Sequence, residues 1–234
     1  MAGPRFTSRS GIRTNISTRP PSLNATRSVF STCSRRPTSP PILNAVRSGL
    51  LGGTFDPPHI AHLLAGEVAY RQLGLDRVIY MPAGSPWQKA GRRVSAAVHR
   101  WTMTELAVSP IEYFEADDRE VHRDGWTYTA DTLTTFPAPE EIVMILGSDA
   151  ALGLPTWHQS VDVLARVELA VVPRPGLDRA AVEEQVKVDH WLDMPALPVS
   201  GTLIRERVRS GQGYRFLVTD AVFAYVDEQG LYRD

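Results

Sequence analysis

Two histidines, His59 and His62, follow a glycine pair and a proline pair in the run Leu50-Leu51-Gly52-Gly53-Thr54-Phe55-Asp56-Pro57-Pro58-His59-Ile60-Ala61-His62. Spaced at i and i+3, two imidazoles share one face of a helix. The first turn of a helix also presents N–H groups without intrahelical partners and the positive end of the helix dipole, a combination that suits an anion. Gly52 and Gly53 are expected to supply backbone angles and a close ligand approach that a Cβ would block. Pro57-Pro58 sets the chain direction just before the helix. The chemistry is polyphosphate handling, with two imidazoles placed to stabilise charge that builds up on a transferring phosphoryl group. Zinc binding is the other common use of paired histidines. The helical zinc signature needs i,i+4 spacing with an intervening Glu, and neither is present, so no metal ligand set is expected.

The elements that must position these residues can be read from hydrophobic periodicity. Strands are predicted at residues 47–52, 77–81, 111–116, 141–146 and 167–172, and helices at 60–73, 95–107, 128–135, 159–165, 178–187, 201–210 and 219–228. Alternating strands and helices imply an α/β fold with a Rossmann-like, doubly wound and mostly parallel sheet covered by helices on both faces. Ligands of such sheets sit beyond the carboxyl ends of the strands. Residues 52–62, 82–89, 147–157 and 173–176 each follow a strand, so they are expected on one rim. On that rim Lys89 is a compact mobile charge suited to phosphates. Thr127 or Thr129 can cap the helix that follows and leave N–H groups facing an anion. Asp149 follows a strand directly and can cap the next helix, and Trp157, in a loop beyond a strand, is of a type more often found in the core. Arg92, Arg93, His99 and Arg100 add positive charge and are expected to be ordinary surface or helix residues.

A chain of 234 residues with 43% hydrophobic content suits one α/β domain with an extension. No apolar run approaches the roughly 18 residues that span a bilayer. Cys33 is the single cysteine, which excludes an intramolecular disulfide and fits a reducing, cytoplasmic compartment. Net charge is −1, yet residues 1–47 hold eight arginines and no acid, leaving 17 basic against 26 acidic residues in the rest. An acidic body gives no sign of nucleic-acid binding. Residues 1–46, rich in Ser, Thr, Pro and Arg, cannot bury enough apolar surface to offset their ordering entropy. Three readings fit them: a transit peptide, a disordered tail, or upstream sequence translated ahead of a true start near Val46, the last being preferred. The folded domain is expected over 47–234.

The run Gly52-Gly53-Thr54-Phe55-Asp56-Pro57-Pro58-His59-Ile60-Ala61-His62 resembles the signature of the nucleotidylyltransferases, in which the last four positions read His-x-Gly-His. Here the glycine is Ala61. A second motif of that family, Ile-Ser-Ser-Thr-x-x-Arg, is matched by Val199-Ser200-Gly201-Thr202-Leu203-Ile204-Arg205, with Gly201 in place of the second serine. Further elements resemble the nicotinate-nucleotide adenylyltransferases, over nearly all of 47–234. These are Pro82 to Lys89, Thr127-Tyr128-Thr129-Ala130-Asp131-Thr132-Leu133, Gly147-Ser148-Asp149, Trp157-His158 and Arg174-Pro175-Gly176. The resemblance implies adenylyl transfer from ATP, carried with Mg²⁺, to nicotinate mononucleotide, forming nicotinate adenine dinucleotide and pyrophosphate. It implies catalytic roles for His59, His62 and Arg205. ATP would be held by Gly52, Gly53, Thr54, Phe55, Gly147, Asp149, Arg174, Ser200 and Thr202 besides. The mononucleotide would be held by Lys89, Thr127, Tyr128, Thr129, Trp157 and His158. Partners are then the two small-molecule substrates, with no nucleic acid and no membrane, in a protein compatible with a homo-oligomer. Nicotinamide mononucleotide or another phosphate acceptor, and a non-catalytic nucleotide-binding regulator, are the alternatives.

Overall fold

The computed structural model describes residues 45–89, 91 and 93–234. The expectations for residues 1–44 and for Arg92 lie outside the described residues. Six strands form one sheet: β1 (Arg47–Gly53), β2 (Arg77–Pro82), β3 (Phe114–Ala116), β4 (Glu141–Gly147), β5 (Val167–Val172) and β6 (His190–Trp191). Their spatial order is β3-β2-β1-β4-β5-β6, and every ladder is parallel. Strands run outward from β1 on one side and outward from β4 on the other. The carboxyl ends of β1 and β4 therefore flank the switch point of the sheet, where this architecture opens a crevice.

Side chains along each strand alternate between two cores, as a pleat requires. Leu51, Val78, Tyr80, Val143, Ile145, Ala170 and Val172 point to one face, against α1 (Ile60–Leu73), α2 (Ala97–Val108), α7 (Gly201–Arg209) and α8 (Asp220–Glu228). Leu50, Ile79, Met81, Ile142, Met144, Leu146, Leu169 and Val171 point to the other. That face is covered by α3 (Thr129–Leu133), α4 (Ser148–Leu152), α5 (Ser160–Leu164) and α6 (Arg179–Glu183). Each such side chain removed from water contributes about 1.5–3 kcal/mol, so an adjacent pair such as Leu50 and Leu51 locks the register of the central strand from both sides.

The expected elements are all present: β1, β2 and β4 run one residue further, β5 and α1 keep their expected bounds, α2 is shifted and the rest are trimmed, while strand β6 and helix α4 are additional. Strand β3 starts at Phe114 rather than 111, because Ile111 N–H bonds back to Val108 O (2.9 Å) and Phe114 N–H to Ile111 O (3.0 Å), a turn that consumes the approach. Helix α6 begins after Asp178, whose carboxylate accepts from Ala180 N–H at 3.1 Å. Strand β6 is too short for a two-residue period to show, and α4 follows β4 without a linker. Among the described residues no helix is long and apolar enough to cross a membrane.

Arg100 departs from its expected surface role, being 1% exposed. Its guanidinium donates to Thr54 O (3.0 Å), Ala83 O (2.5 Å), Gly84 O (2.7 Å) and Ser95 O (3.0 Å). A cation this deep is tolerable because every bond it makes is charge-assisted. It ties the loop after β1 to the loop after β2.

Gly66 lies inside α1, where alanine ordinarily adds about 1 kcal/mol of helix stability. A Cβ there would run into the Tyr80 hydroxyl and the Phe114 ring. Gly66→Ala is therefore expected to destabilise the fold by about 1–3 kcal/mol, the usual range for overpacking. Urea denaturation reads the sign, and a stabilised variant would contradict this packing.

Candidate active site

The strand-to-helix turn after β1 is built differently from its expected form. Neither Gly52 nor Gly53 has a positive φ; the left-handed residue is Phe55, at φ 49°. The glycines serve space instead. A Cβ on Gly53 would meet the Phe55 ring at 3.0 Å, whereas one on Gly52 would project into open space above the sheet. The buried Phe55 ring in turn meets the edge of His62, centroids 4.9 Å apart at 82°. Phe55 is thus a support beneath the site rather than a wall of it. The carbonyl of Thr54 is held by Arg100, which leaves the Thr54 residue on the cleft surface.

His59 is the N-cap residue of α1, and His62 lies in the first turn. Their rings stack at 3.7 Å with 20° between planes. The backbone N–H of His59 donates to His62 Nδ1 at 3.2 Å, so the neutral ring of His62 carries its proton on Nε2. Burial pushes the His59 pKa down to about 4, with the charge of Arg174 adding to the effect. Burial, His59, Arg174 and Lys89 hold His62 well below the ordinary imidazole range. Both rings are neutral near pH 7 and act as N–H donors, not as cations. His59 Nδ1 is buried without a hydrogen-bond partner among the described residues, an open polar atom beside the first turn of α1.

A two-lobed cleft opens at the switch point. The larger lobe, about 500 Å³, is lined by His62, Lys89, Asp149 and Arg174 among others. The smaller, about 190 Å³, is lined by Thr54, Trp87, Glu120, Thr127, Thr129 and Trp157. Gly52, Gly53, Gln88 and Trp157 border both lobes. In the larger lobe Arg174 reaches across Gly147 to Asp149, Nε to Oδ1 3.5 Å. A Cβ on Gly147 would stand 2.6 Å from Asp149 Oδ1 and 2.9 Å from Arg174 Nε, so a larger residue would make that pair shift. Asp149 therefore neither caps α4 nor stands alone. Ala61, where the resembling motif has glycine, forms part of the same wall.

The smaller lobe corrects one expectation. Neither Thr127 nor Thr129 caps α3; the N-cap is Tyr128, with no side-chain cap bond. Thr127 is buried and donates from both N–H (3.2 Å) and hydroxyl (3.3 Å) to Ser85 O. Tyr128 and His158 line neither lobe but pack ring to ring at 4.5 Å. Trp157 has its Nε1 buried without a partner among the described residues. Trp87 and Gln88 lie in the rim stretch 82–89 without having been assigned a role, and Glu120 lies outside every expected stretch. Trp87 and Gln88 stand in the same loop as Lys89, and that proximity was the available signal. Glu120 has none: its carboxylate accepts from the Thr132 hydroxyl at 2.6 Å, and burial raises its pKa.

Ser200, Thr202 and Arg205 line neither lobe. The Ser200 hydroxyl accepts from Leu203 N–H at 3.1 Å and so caps α7. Arg205 donates to Asp56 O at 2.6 Å and to the Thr202 hydroxyl at 3.1 Å. Gly201 has a packing reason, since a Cβ there would stand 2.7 Å from Asp56 O.

The fold, the glycine-floored cleft and the paired imidazoles define a nucleotidyltransferase, and residues 50–207 match the cytidylyltransferase-like family. Within that class the chain belongs to the nicotinate-nucleotide adenylyltransferase family. It is 40% identical over 201 residues to a Dehalococcoides mccartyi protein named probable nicotinate-nucleotide adenylyltransferase, covering 80% of this chain and 98% of the relative. A Desulfitobacterium hafniense protein of the same name is 39% identical over 199 residues, covering 80% of this chain and 96% of the relative. In fold the chain is similar to Plasmodium falciparum nicotinic acid mononucleotide adenylyltransferase complexed with NaAD, with a TM-score of 0.68, 16% identity, and coverage of 80% of this chain and 97% of that one.

The depressed His59 pKa couples stability to pH. An unfolded imidazole takes up a proton near pH 6.5, whereas folded His59 takes one up only near 4. The contribution of the neutral ring is full above about pH 6.5 and is lost as pH falls toward 4, on the order of 3 kcal/mol in all. Urea denaturation at pH 7.5 and pH 5 should show this loss in the wild type and a smaller one in His59→Gln. Equal losses in both proteins would contradict the assignment.

Proposed function

We propose that this protein transfers the adenylyl group of ATP to nicotinate mononucleotide, releasing pyrophosphate and forming nicotinate adenine dinucleotide for NAD biosynthesis. The observation that carries the reading is one cleft with two lobes meeting at Gly52-Gly53, with His62 on the larger one. An acceptor and a triphosphate seated on either side of that junction would have their phosphates in reach of each other.

The acceptor's phosphate oxygen is already an anionic nucleophile, so the reaction needs no protein base. That oxygen forms a bond to the α-phosphorus while the bond to the β-phosphate oxygen breaks and pyrophosphate leaves. Alignment of the two substrates and balance of the charge that spreads at transfer supply the catalysis. In this reading the Nε2–H of His62, with His59 stacked behind it, serves the α- and β-phosphates. Arg174 and Lys89, on the wall of the larger lobe, attract the polyanion. Thr202 and Arg205 border neither lobe, so their part would be to receive the leaving pyrophosphate where it extends beyond the larger lobe to the start of α7; a guanidinium fork suits its oxygens. Trp157 stacks on the pyridine ring, with Thr127 and Thr129 beside it.

Among the described residues no three His, Cys, Asp or Glu side chains gather as metal ligands, and Asp149 is engaged by Arg174. We treat Mg²⁺ as part of the ATP substrate, held by phosphate and water oxygens. A cytoplasmic reaction completes the proposal, with Cys33 as the single cysteine in support.

Purified protein supplied with MgATP should release pyrophosphate with nicotinate mononucleotide faster than with nicotinamide mononucleotide. No release with either would overturn the reading. His62→Ala should lower turnover by about 10²–10³-fold with the fold preserved by circular dichroism, the usual loss for one charge-stabilising donor. Trp157→Ala should weaken the mononucleotide more than ATP; calorimetry showing equal weakening would contradict the stacking role.

A further inference from the structure

Asp56 lies three residues before His59, is 5% exposed, and lines neither lobe of the cleft. It is nevertheless bonded on every side. Oδ1 accepts from the Tyr232 hydroxyl at 2.7 Å, and Oδ2 accepts from Ser95 N–H at 3.2 Å. Its carbonyl accepts from Arg205 Nη1 at 2.6 Å and carries Gly201 close above it. The start of α7 is therefore seated on Asp56, and Asp56 is held in turn by Tyr232 and Ser95.

Tyr232 reaches this place through a deliberate reversal of the chain. Helix α8 ends in a left-handed Gly230 (φ 61°), with Gly230 N–H bonded to Asp227 O (3.2 Å) and Leu231 N–H to Val226 O (3.1 Å). This pair of bonds is the Schellman closure. Two residues on, Tyr232 itself holds φ 64°, a left-handed conformation that a tyrosine adopts only when its surroundings impose it. Its ring is buried and its hydroxyl also approaches Met103 Sδ at 3.8 Å. The side chain of Asp234 is paired with Arg93, and Arg209 Nε donates to Asp234 O at 3.0 Å, pinning the same segment on both sides. A buried tyrosine hydroxyl on a buried carboxylate, at the cost of backbone strain, does more than cover apolar surface.

The geometry points to Tyr232 as a positioning residue for the leaving group: through Asp56 it sets where Arg205 stands relative to the first turn of α1. This rests on the adenylyl-transfer reading above. Tyr232 touches neither lobe, so its effect passes through Asp56 and Arg205 and falls on the triphosphate, not on the acceptor.

Tyr232→Phe keeps the ring and removes only the hydroxyl. In steady-state pyrophosphate-release assays the variant should raise KM for MgATP or lower kcat by about tenfold, the loss that one hydrogen bond to a charged group corresponds to. KM for nicotinate mononucleotide should be unchanged, and backbone hydrogen exchange of residues 54–60 should speed up. Wild-type kinetics, or a lowered melting temperature with both KM values moved alike, would overturn the proposal and leave Tyr232 a structural residue. Should the wild type release no pyrophosphate, the functional reading fails by itself. Exchange of residues 54–60 then still decides the positioning role: unchanged protection in Tyr232→Phe overturns it.

Discussion

A guanidinium shut away from water holds the site's two approach loops together. Arg100 carries a full charge at a position almost without solvent, and among the described residues no carboxylate bonds to it; its guanidinium is met by carbonyl dipoles of Thr54, Ala83, Gly84 and Ser95. Burial pulls its pKa down, with Asp56 and Tyr232 opposing. Such a group stays charged and folded only while those carbonyls point at it. The loop after β1, the loop after β2 and the approach to α2 must therefore take one mutual arrangement. From that arrangement follow the floor of the cleft, the stance of Thr54 and the wall of the smaller lobe.

The same logic recurs at smaller scale. Glycines here are chiefly absences that let other groups meet: Gly53 admits the Phe55 ring beneath His62, Gly147 admits Arg174 to Asp149, and Gly201 admits α7 to the Asp56 carbonyl. Gly84 backs onto the Glu120 carbonyl in the same way. Close approaches of this kind fix the mutual placement of neighbouring groups, which suits a reaction that depends on alignment.

The sheet was legible in the sequence because its strands are buried on both faces and read as continuous apolar runs, such as Glu141 to Gly147 and Val167 to Val172. The rim was legible for the same reason, since each strand's end announces a loop. His59 and His62 are legible from local spacing and Lys89 from its loop after a strand, whereas Asp149, Arg174, Thr127, Thr129 and Trp157 owe their specificity to the family resemblance; of these, all but His59 border the cleft. Illegible were the contacts that link distant stretches. Nothing around Arg100 distinguishes a buried staple from a helical surface arginine. Nothing around Glu120 or Tyr232 announces that one meets Thr132 and the other Asp56. The role of Gly52 and Gly53 was misread for a related reason: a glycine pair suggests unusual dihedrals, whereas the unusual dihedral falls on Phe55 and is settled by what its ring packs against.

The neutrality of the stacked imidazoles has a thermodynamic consequence. A polyanion arriving beside His59 and His62 would favour their charged forms and raise both pKa values from their depressed positions, without making either ring a cation near pH 7. In acidic medium binding then draws protons from solution, and by linkage the affinity for such an anion tightens as the medium becomes more acidic, until the free protein itself begins to protonate. The heat of association would depend on the buffer that supplies those protons. The electrostatic character of the stacked imidazoles is thus set by the burial and the neighbouring cations of the fold, and a bound anion would act against both.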